Sequence, residues 1–221
     1  MRVYTCRLTL HESLFYATRE IGRLYETGRY LHNYALTYAL GLVTAPYFSP
    51  MQTPRYAEQL TPLNTRGIYV TPARGVKIEY QLATFKYADN AYHVEMEKGS
   101  RNTPSFGRAK EISAGSVFEF AVLSEREAIR LPQWIRLGLW RSKAEVVCAE
   151  TEAQAEKRSA ARADYPLNPL DIAGKLLAFD LISMPPASLL DHAMVQAEWW
   201  SWSTDGNRCQ LPAQLAYRFP G

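Results

Sequence analysis

Two-residue alternation of apolar and polar side chains restricts the folds open to this chain more than any other feature. Tyr4, Cys6, Leu8 and Leu10 fall on one side of an extended segment, with Thr5, Arg7, Thr9 and His11 on the other. Val76, Ile78, Tyr80 and Leu82 alternate in the same way with Lys77, Glu79 and Gln81, and Phe118, Phe120 and Val122 share one face of Val117–Leu123. Each such segment buries one face only, the habit of antiparallel sheets. Further strands are expected at Ile68–Val70, Lys143–Ala149, Lys175–Ile182, Val195–Ser203 and Leu211–Phe219, the last two joined at Asp205-Gly206. Helices are expected over Gly28–Leu40, closed by Gly41 and then Pro46, over Tyr56–Leu60, over the alanine- and charge-rich Thr151–Ala163, and from Pro186. LPQWIRLGLWRS reads as a loop. The pattern implies an α+β fold: an RRM-like (ferredoxin-like) antiparallel sheet in one domain over residues 1–221. Residues 98–115 form a protruding thumb hairpin in this reading, and residues 165–221 add C-terminal strands that complete the sheet. The RNP aromatic signature of ordinary RRMs is missing, so RNA would not bind through that platform.

The 221 residues, 47% of them apolar, suffice for one packed core. A formal net charge of +3 is only mildly basic, so contact with a polyanion must come from local clusters. Cys6, Cys148 and Cys209 are odd in number and far apart, which points to reduced thiols in a cytoplasmic protein. No apolar run has transmembrane length, and the N-terminus alternates like a strand instead of offering a signal-peptide block, so neither membrane nor secretion is expected.

Ile21–Gly41 carries four tyrosines and three arginine or histidine side chains. On a helix, Leu31, Tyr34, Ala35 and Tyr38 would form a stripe with Arg29, Asn33 and Thr37 beside it. Cations beside flat rings suit RNA, because guanidinium groups hold phosphates and aromatic faces stack bases. A tyrosine-rich helix fits a plain core equally well. The preceding run Phe15–Tyr25, with Arg19 and Arg23 flanking Glu20 and Gly22, has neither strand nor helix period and reads as a functional loop. From this block the candidate RNA contacts are Arg19, Arg23, Tyr25, Arg29, Tyr30 and Asn33. Between Arg101 and Lys143 eight cations face four acids. Those on turns, Arg101, Arg108, Arg136, Arg141 and Lys143, are the better phosphate contacts, and Trp140 beside Arg141 could cover a base. Each of these cations taken singly also fits an ordinary solvated surface, and tryptophans are more often core.

Signs of catalysis are poor. The four histidines show no metal-ligand spacing, and there is no phosphate-binding glycine loop, paired-carboxylate motif or nucleophile elbow. No cofactor is implied. His32 with Tyr30 or Tyr34 could cut RNA by acid–base chemistry, although helix packing explains the same residues more simply.

Taken together, LTLHESLFYATREIGRLYETGRYLHNYALTYALG, LNTRGIYVTPA, SVFEFAVLS and LPQWIRLGLWRSKAEV resemble the small subunit of type I-D CRISPR interference complexes, the Csc-one branch of the Cas-five family. The resemblance implies a non-catalytic, RNA-binding protein of RRM-like fold with a thumb. Such a subunit caps the 5′ handle of the guide crRNA, touches the repeating backbone subunit and docks on the large subunit that reads the protospacer-adjacent motif (PAM), with target DNA near that motif as a further contact open to it. Carried onto this chain, the handle contacts fall in Arg19–Asn33 and Arg136–Lys143, and the thumb in Arg101–Lys110. Gly28 departs from the pattern, since a helix start would favour another residue there. The alternative is a metal-independent endoribonuclease that trims the guide precursor through His32; an unrelated scaffold without RNA is the third reading.

Overall fold

The computed structural model describes residues 1–45, 54–86, 106–204 and 206–219. In chain order the strands and helices are β1 (Arg2–Leu10), β2 (Arg19–Ile21), β3 (Leu24–Glu26), β4 (Tyr30–Leu31), α1 (Asn33–Ala39), α2 (Tyr56–Arg66), β5 (Ile68–Val70), β6 (Ala73–Lys77), β7 (Tyr80–Lys86), β8 (Phe106–Ile112), β9 (Val117–Ser124), β10 (Trp134–Leu137) and β11 (Ser142–Glu152). The C-terminal part adds β12 (Gln154–Glu156), β13 (Ala161–Arg162), a 3-10 turn at Pro169–Asp171, β14 (Lys175–Ile182), β15 (Leu189–Gln196), β16 (Trp199–Thr204) and β17 (Asn207–Pro212). This is an α+β chain dominated by antiparallel strands. The main sheet runs β10-β11-β1-β9-β6-β4, with β5 also on β9. β1 lies between β11 and β9 and is antiparallel to both, and its alternation is as the sequence implied: Tyr4, Cys6, Leu8 and Leu10 are buried while Arg7 is exposed.

Several elements differ from expectation, each for a local reason. The segment Gly28–Leu40 is not one helix. Tyr30–Leu31 pairs with β6, and α1 begins only after His32, whose ring caps it by accepting the Tyr34 N–H. α2 runs past Pro62 to Arg66, because Leu60 and Leu63 are buried and Gly67 closes the helix at φ 69°. Val76–Leu82 is broken in two. Gly75 lies against Arg29, donating its N–H to the Arg29 carbonyl at 2.8 Å, and a Cβ there would fall 2.3 Å from Ile78. Four residues on, Ser116 accepts the Glu79 N–H at 3.1 Å, and the chain passes from the main sheet into a second sheet, β2-β3-β8-β7.

Thr151–Ala163 is strand instead of helix. β11 continues to Glu152 opposite Arg2, and Ala153 donates to the Met1 carbonyl, so cross-strand pairing overrides alanine's helix preference. LPQWIRLGLWRS contains β10, turned back onto β11 through Gly138 at φ 76° and Arg141 at φ 55°. No helix starts at Pro186, and the expected strand Val195–Ser203 is divided between β15 and β16. The C-terminal strands do not complete the main sheet; they form two sheets of their own, β13-β15-β14 and β12-β16-β17. Residues 98–105 of the expected thumb lie outside the described residues, and most of the remainder is β8.

Asp171 ties the distant parts together from a fully buried position. Its Oδ2 accepts from Asn33 Nδ2 at 2.9 Å and from the Tyr69 hydroxyl at 3.0 Å, while Oδ1 accepts the Arg218 N–H at 3.1 Å. Asn64 holds the same tail through paired bonds to the Tyr217 main chain, both at 2.9 Å.

Cysteine use also differs. Cys6 and Cys148 are direct partners across β1 and β11 with Cα atoms 4.1 Å apart, and they form a disulfide; Cys209 is a free thiol. Denatured without reductant, the protein should therefore show the single thiol of Cys209 to Ellman's reagent and show three after reduction. Cys148→Ser should lower the melting temperature, the bridge being worth roughly 2–4 kcal/mol. Three thiols in unreduced protein would rule the bridge out.

Candidate nucleic-acid interface

Register in the second sheet decides which of its side chains can act together. Laterally paired residues project from the same face. Arg19, Glu26, Lys110 and Leu82 make one row across β2, β3, β8 and β7; Ile21, Leu24, Arg108 and Thr84 make another on that face. Ion pairs agree with the register, since Glu26 lies 3.8 Å from Arg19 and 3.3 Å from Lys110. Lys110 Nζ also sits 4.5 Å above the Tyr80 ring. Arg19, Ile21, Tyr80, Leu82 and Arg108 are exposed, so this face combines three cations with apolar and aromatic surface. The opposite face carries Tyr25, the buried Ala109 and the buried Glu111.

Arg19 and Arg108 are thus brought together, with Arg23 at the adjoining β2–β3 turn, where its carbonyl accepts the Arg108 N–H at 2.9 Å. Tyr25 belongs to the other face. So does the β10–β11 turn: Trp140 Nε1 donates to Glu111 at 2.9 Å and its ring stacks on Phe15 with centroids 5.1 Å apart. In that turn Arg136 donates to the Arg141 carbonyl at 2.9 Å, Lys143 N donates to Glu12 at 2.8 Å, and Lys143 Nζ lies 4.1 Å over the Trp134 ring. The strand link at residues 11–18 joins the two regions: Leu14 bridges to Ile112, Leu139 N donates to the Phe15 carbonyl, and Thr27 bonds both ways with the Tyr16 main chain.

Three expected contacts have other occupations. Arg29 donates to the Gly75 carbonyl at 2.9 Å, and the Tyr30 hydroxyl donates to Asp191 at 2.8 Å, with burial first and that carboxylate second pushing its pKa up to about 12. Asn33 has no exposed surface and serves Asp171, so it is withdrawn as an RNA contact. Arg101 lies outside the described residues. Lys110 and Tyr80 were missed, because Tyr80 read as part of one long half-buried strand; the break signalled by Gly75 would have put it on a different sheet.

His32, on which the cleavage reading depends, is only 4% exposed, its Nδ1 is taken by the α1 cap, and burial pulls its pKa down to about 4. Among the described residues no cluster of three histidine, cysteine or carboxylate side chains could hold a metal, and no helix is long and apolar enough to cross a membrane.

The family model for the type I-D CRISPR-associated protein Cas5/Csc1 matches residues 1–220. No curated protein sequence matches the chain significantly. Similar solved structures include a chain of the type III-B Cmr-beta complex bound to cognate target RNA and AMPPnP, at 10% identity and TM-score 0.49, covering 87% of this chain and 86% of that one. A CRISPR protein from Archaeoglobus fulgidus is 12% identical with TM-score 0.40, covering 95% and 99% respectively.

His32 and Asp171 should give the fold opposed pH dependences. Burial lowers the His32 pKa from 6.5 to about 4, so its contribution is present above pH 6.5 and lost as pH falls through 4. Burial raises the Asp171 pKa from 3.8 to about 6, so its contribution is present below pH 3.8 and lost as pH rises through 6. Between pH 4 and 6 the unfolded chain binds one proton more at His32 and one fewer at Asp171, and the slopes cancel. Denaturant titrations across that window should show Asp171→Asn steepening the rise of stability with pH by about 1.4 kcal/mol per unit relative to wild type, and His32→Gln changing it by a similar amount in the other direction. Parallel curves for all three proteins would refute both assignments.

Proposed function

The chain belongs to the type I-D CRISPR-associated Cas5/Csc1 family, and on that premise we propose that it is a non-catalytic, RNA-binding subunit of the effector complex, capping the 5′ handle of the crRNA. In the same reading it bridges the repeating backbone subunit and the large PAM-reading subunit. The observation that carries the proposal is the exposed face of β2-β3-β8-β7, where Arg19, Lys110 and Arg108 occupy neighbouring rows beside Tyr80. Cations at strand spacing next to an aromatic face suit a single-stranded backbone with its bases turned toward the protein. An RRM-like core is supported by the strand order β11-β1-β9-β6, which corresponds to the fourth, first, third and second strands of a βαββαβ unit, although β10 occupies the place of the second helix. Burial of His32 supports a non-catalytic role. Leu177, Phe179 and Leu181, exposed along β14, suit a subunit that meets other proteins.

Co-expression with the neighbouring subunits and purification through this chain should recover crRNA with one uniform 5′ handle. Arg19→Glu with Lys110→Glu should reduce retained crRNA and flatten the dependence of log affinity on log salt by about 0.7 for each phosphate the variant no longer neutralises. Unchanged retention and slope would move the interface elsewhere. Metal-independent cleavage of repeat RNA that disappears in His32→Ala would replace the non-catalytic reading with the enzymatic one.

A further inference from the structure

A cleft of about 200 Å³ lies where the main sheet meets the C-terminal strands, lined by Arg74, Glu119, Asp164, Tyr165, Arg208 and Cys209 among others. Arg74 and Glu119 are direct partners on β6 and β9, while Arg208 and Cys209 come from β17. Its walls are fixed. Asp191, 2% exposed, lies 3.5 Å from Arg74 and also takes the hydroxyl of Tyr30, the residue paired with Arg74 across β4 and β6. Tyr165 is stacked on Trp202 with centroids 6.1 Å apart, and Trp202 Nε1 donates to Thr5 Oγ1 at 3.1 Å. Asp164 uses one carboxylate oxygen to accept the Gln210 N–H at 2.7 Å.

The lining holds two guanidinium groups and two carboxylates, so it does not select a bare anion. It offers donors and acceptors together, in a space below the roughly 300–1,000 Å³ of sites for drug-sized ligands. A planar group presenting both kinds of polar atom on one edge satisfies such walls. Guanine does so best, since on its Watson–Crick edge a carboxylate can take the ring N–H and amino group while a guanidinium donates to O6 beside them. We infer that this cleft is a subsite for one everted guanine base of a nucleic-acid strand, with Asp164 as acceptor and Arg74 as donor. The inference rests on the nucleic-acid reading above for the source of the base.

Cys209 provides the readout, because its thiol lines the cleft. Alkylation of the intact chain by iodoacetamide, followed at the Cys209 peptide by mass spectrometry, is measured with guanosine 5′-monophosphate, uridine 5′-monophosphate or ribose 5-phosphate as probe. The guanine nucleotide should slow the reaction about threefold at twice its dissociation constant, and the other two should not. Asp164→Asn retains an acceptor for Gln210 N–H and should abolish the protection. The inference is overturned if no nucleotide protects, if ribose 5-phosphate protects equally and so reveals an anion site, or if Cys209 is shielded only in the assembled complex, which marks a protein contact. The wild-type comparison decides even should the variant misfold. Because the probe is a mononucleotide and Arg19 and Lys110 are untouched, failure here is separable from loss of crRNA in the charge-reversal variants.

Discussion

The buried carboxyl of Asp171 is the constraint on which the arrangement of the chain most depends. It accepts from α1 through Asn33, from β5 through Tyr69 and from the C-terminal tail through Arg218, three parts far apart in the sequence. A carboxylate removed from water is costly unless its lone pairs are taken, and here three donors take them. Those bonds lower its pKa while burial raises it, and burial prevails. Tyr217 extends the same logic. Its hydroxyl meets Thr37 at 2.6 Å and accepts the Val70 N–H at 3.2 Å, so the tail is bound to the interior by polar groups that tolerate few substitutes.

The exposed cation face follows from a second constraint, the interruption after β6. Without the close approach of Gly75 to Arg29 and the capture of Glu79 by Ser116, residues 73–86 would continue along the main sheet. Instead β7 leaves it, and with β8 creates a place for the β2–β3 hairpin to add in parallel to β8. The link at residues 11–18 then fixes that sheet to the β10–β11 turn. Two clusters of cations that look alike in sequence consequently lie on opposite sides of one small sheet.

How much of this was legible depended on whether the signal was local. β1 could be read because alternation within the strand itself reports the buried face. β5, β9 and β14 were legible as short runs of β-branched, aromatic and other apolar residues, although β5 and most of β9 are buried on both faces and β14 turns Leu177, Phe179 and Leu181 outward. Thr151–Ala163 could not, since its strand pieces are made by distant partners: Met1 and Arg2, about 150 residues earlier, and then β16 and β15 later in the chain. Nor could the fate of Asn33, whose partner Asp171 is supplied by a turn that no local pattern connects with it. Arg19 and Arg108 were identifiable as cations near glycine, but their common face is a property of register. Tyr25 and Trp140, equally plausible by composition, fall on the other face for the same reason.

Glu26 also bears on how strongly this face could hold RNA. Its carboxylate sits 3.8 Å from Arg19 and 3.3 Å from Lys110, so both cations have an anionic partner before any ligand arrives. A phosphate meeting these cations exchanges one anionic partner for another, so each pairing contributes less than a free cation would give, while less side-chain entropy is lost. With a net charge of only +3 there is no broad field to compensate. On the RNA-binding reading, tight retention must therefore come from linkage: neighbouring subunits that grip the same guide raise the effective concentration of its end at this face, and a weak site then suffices.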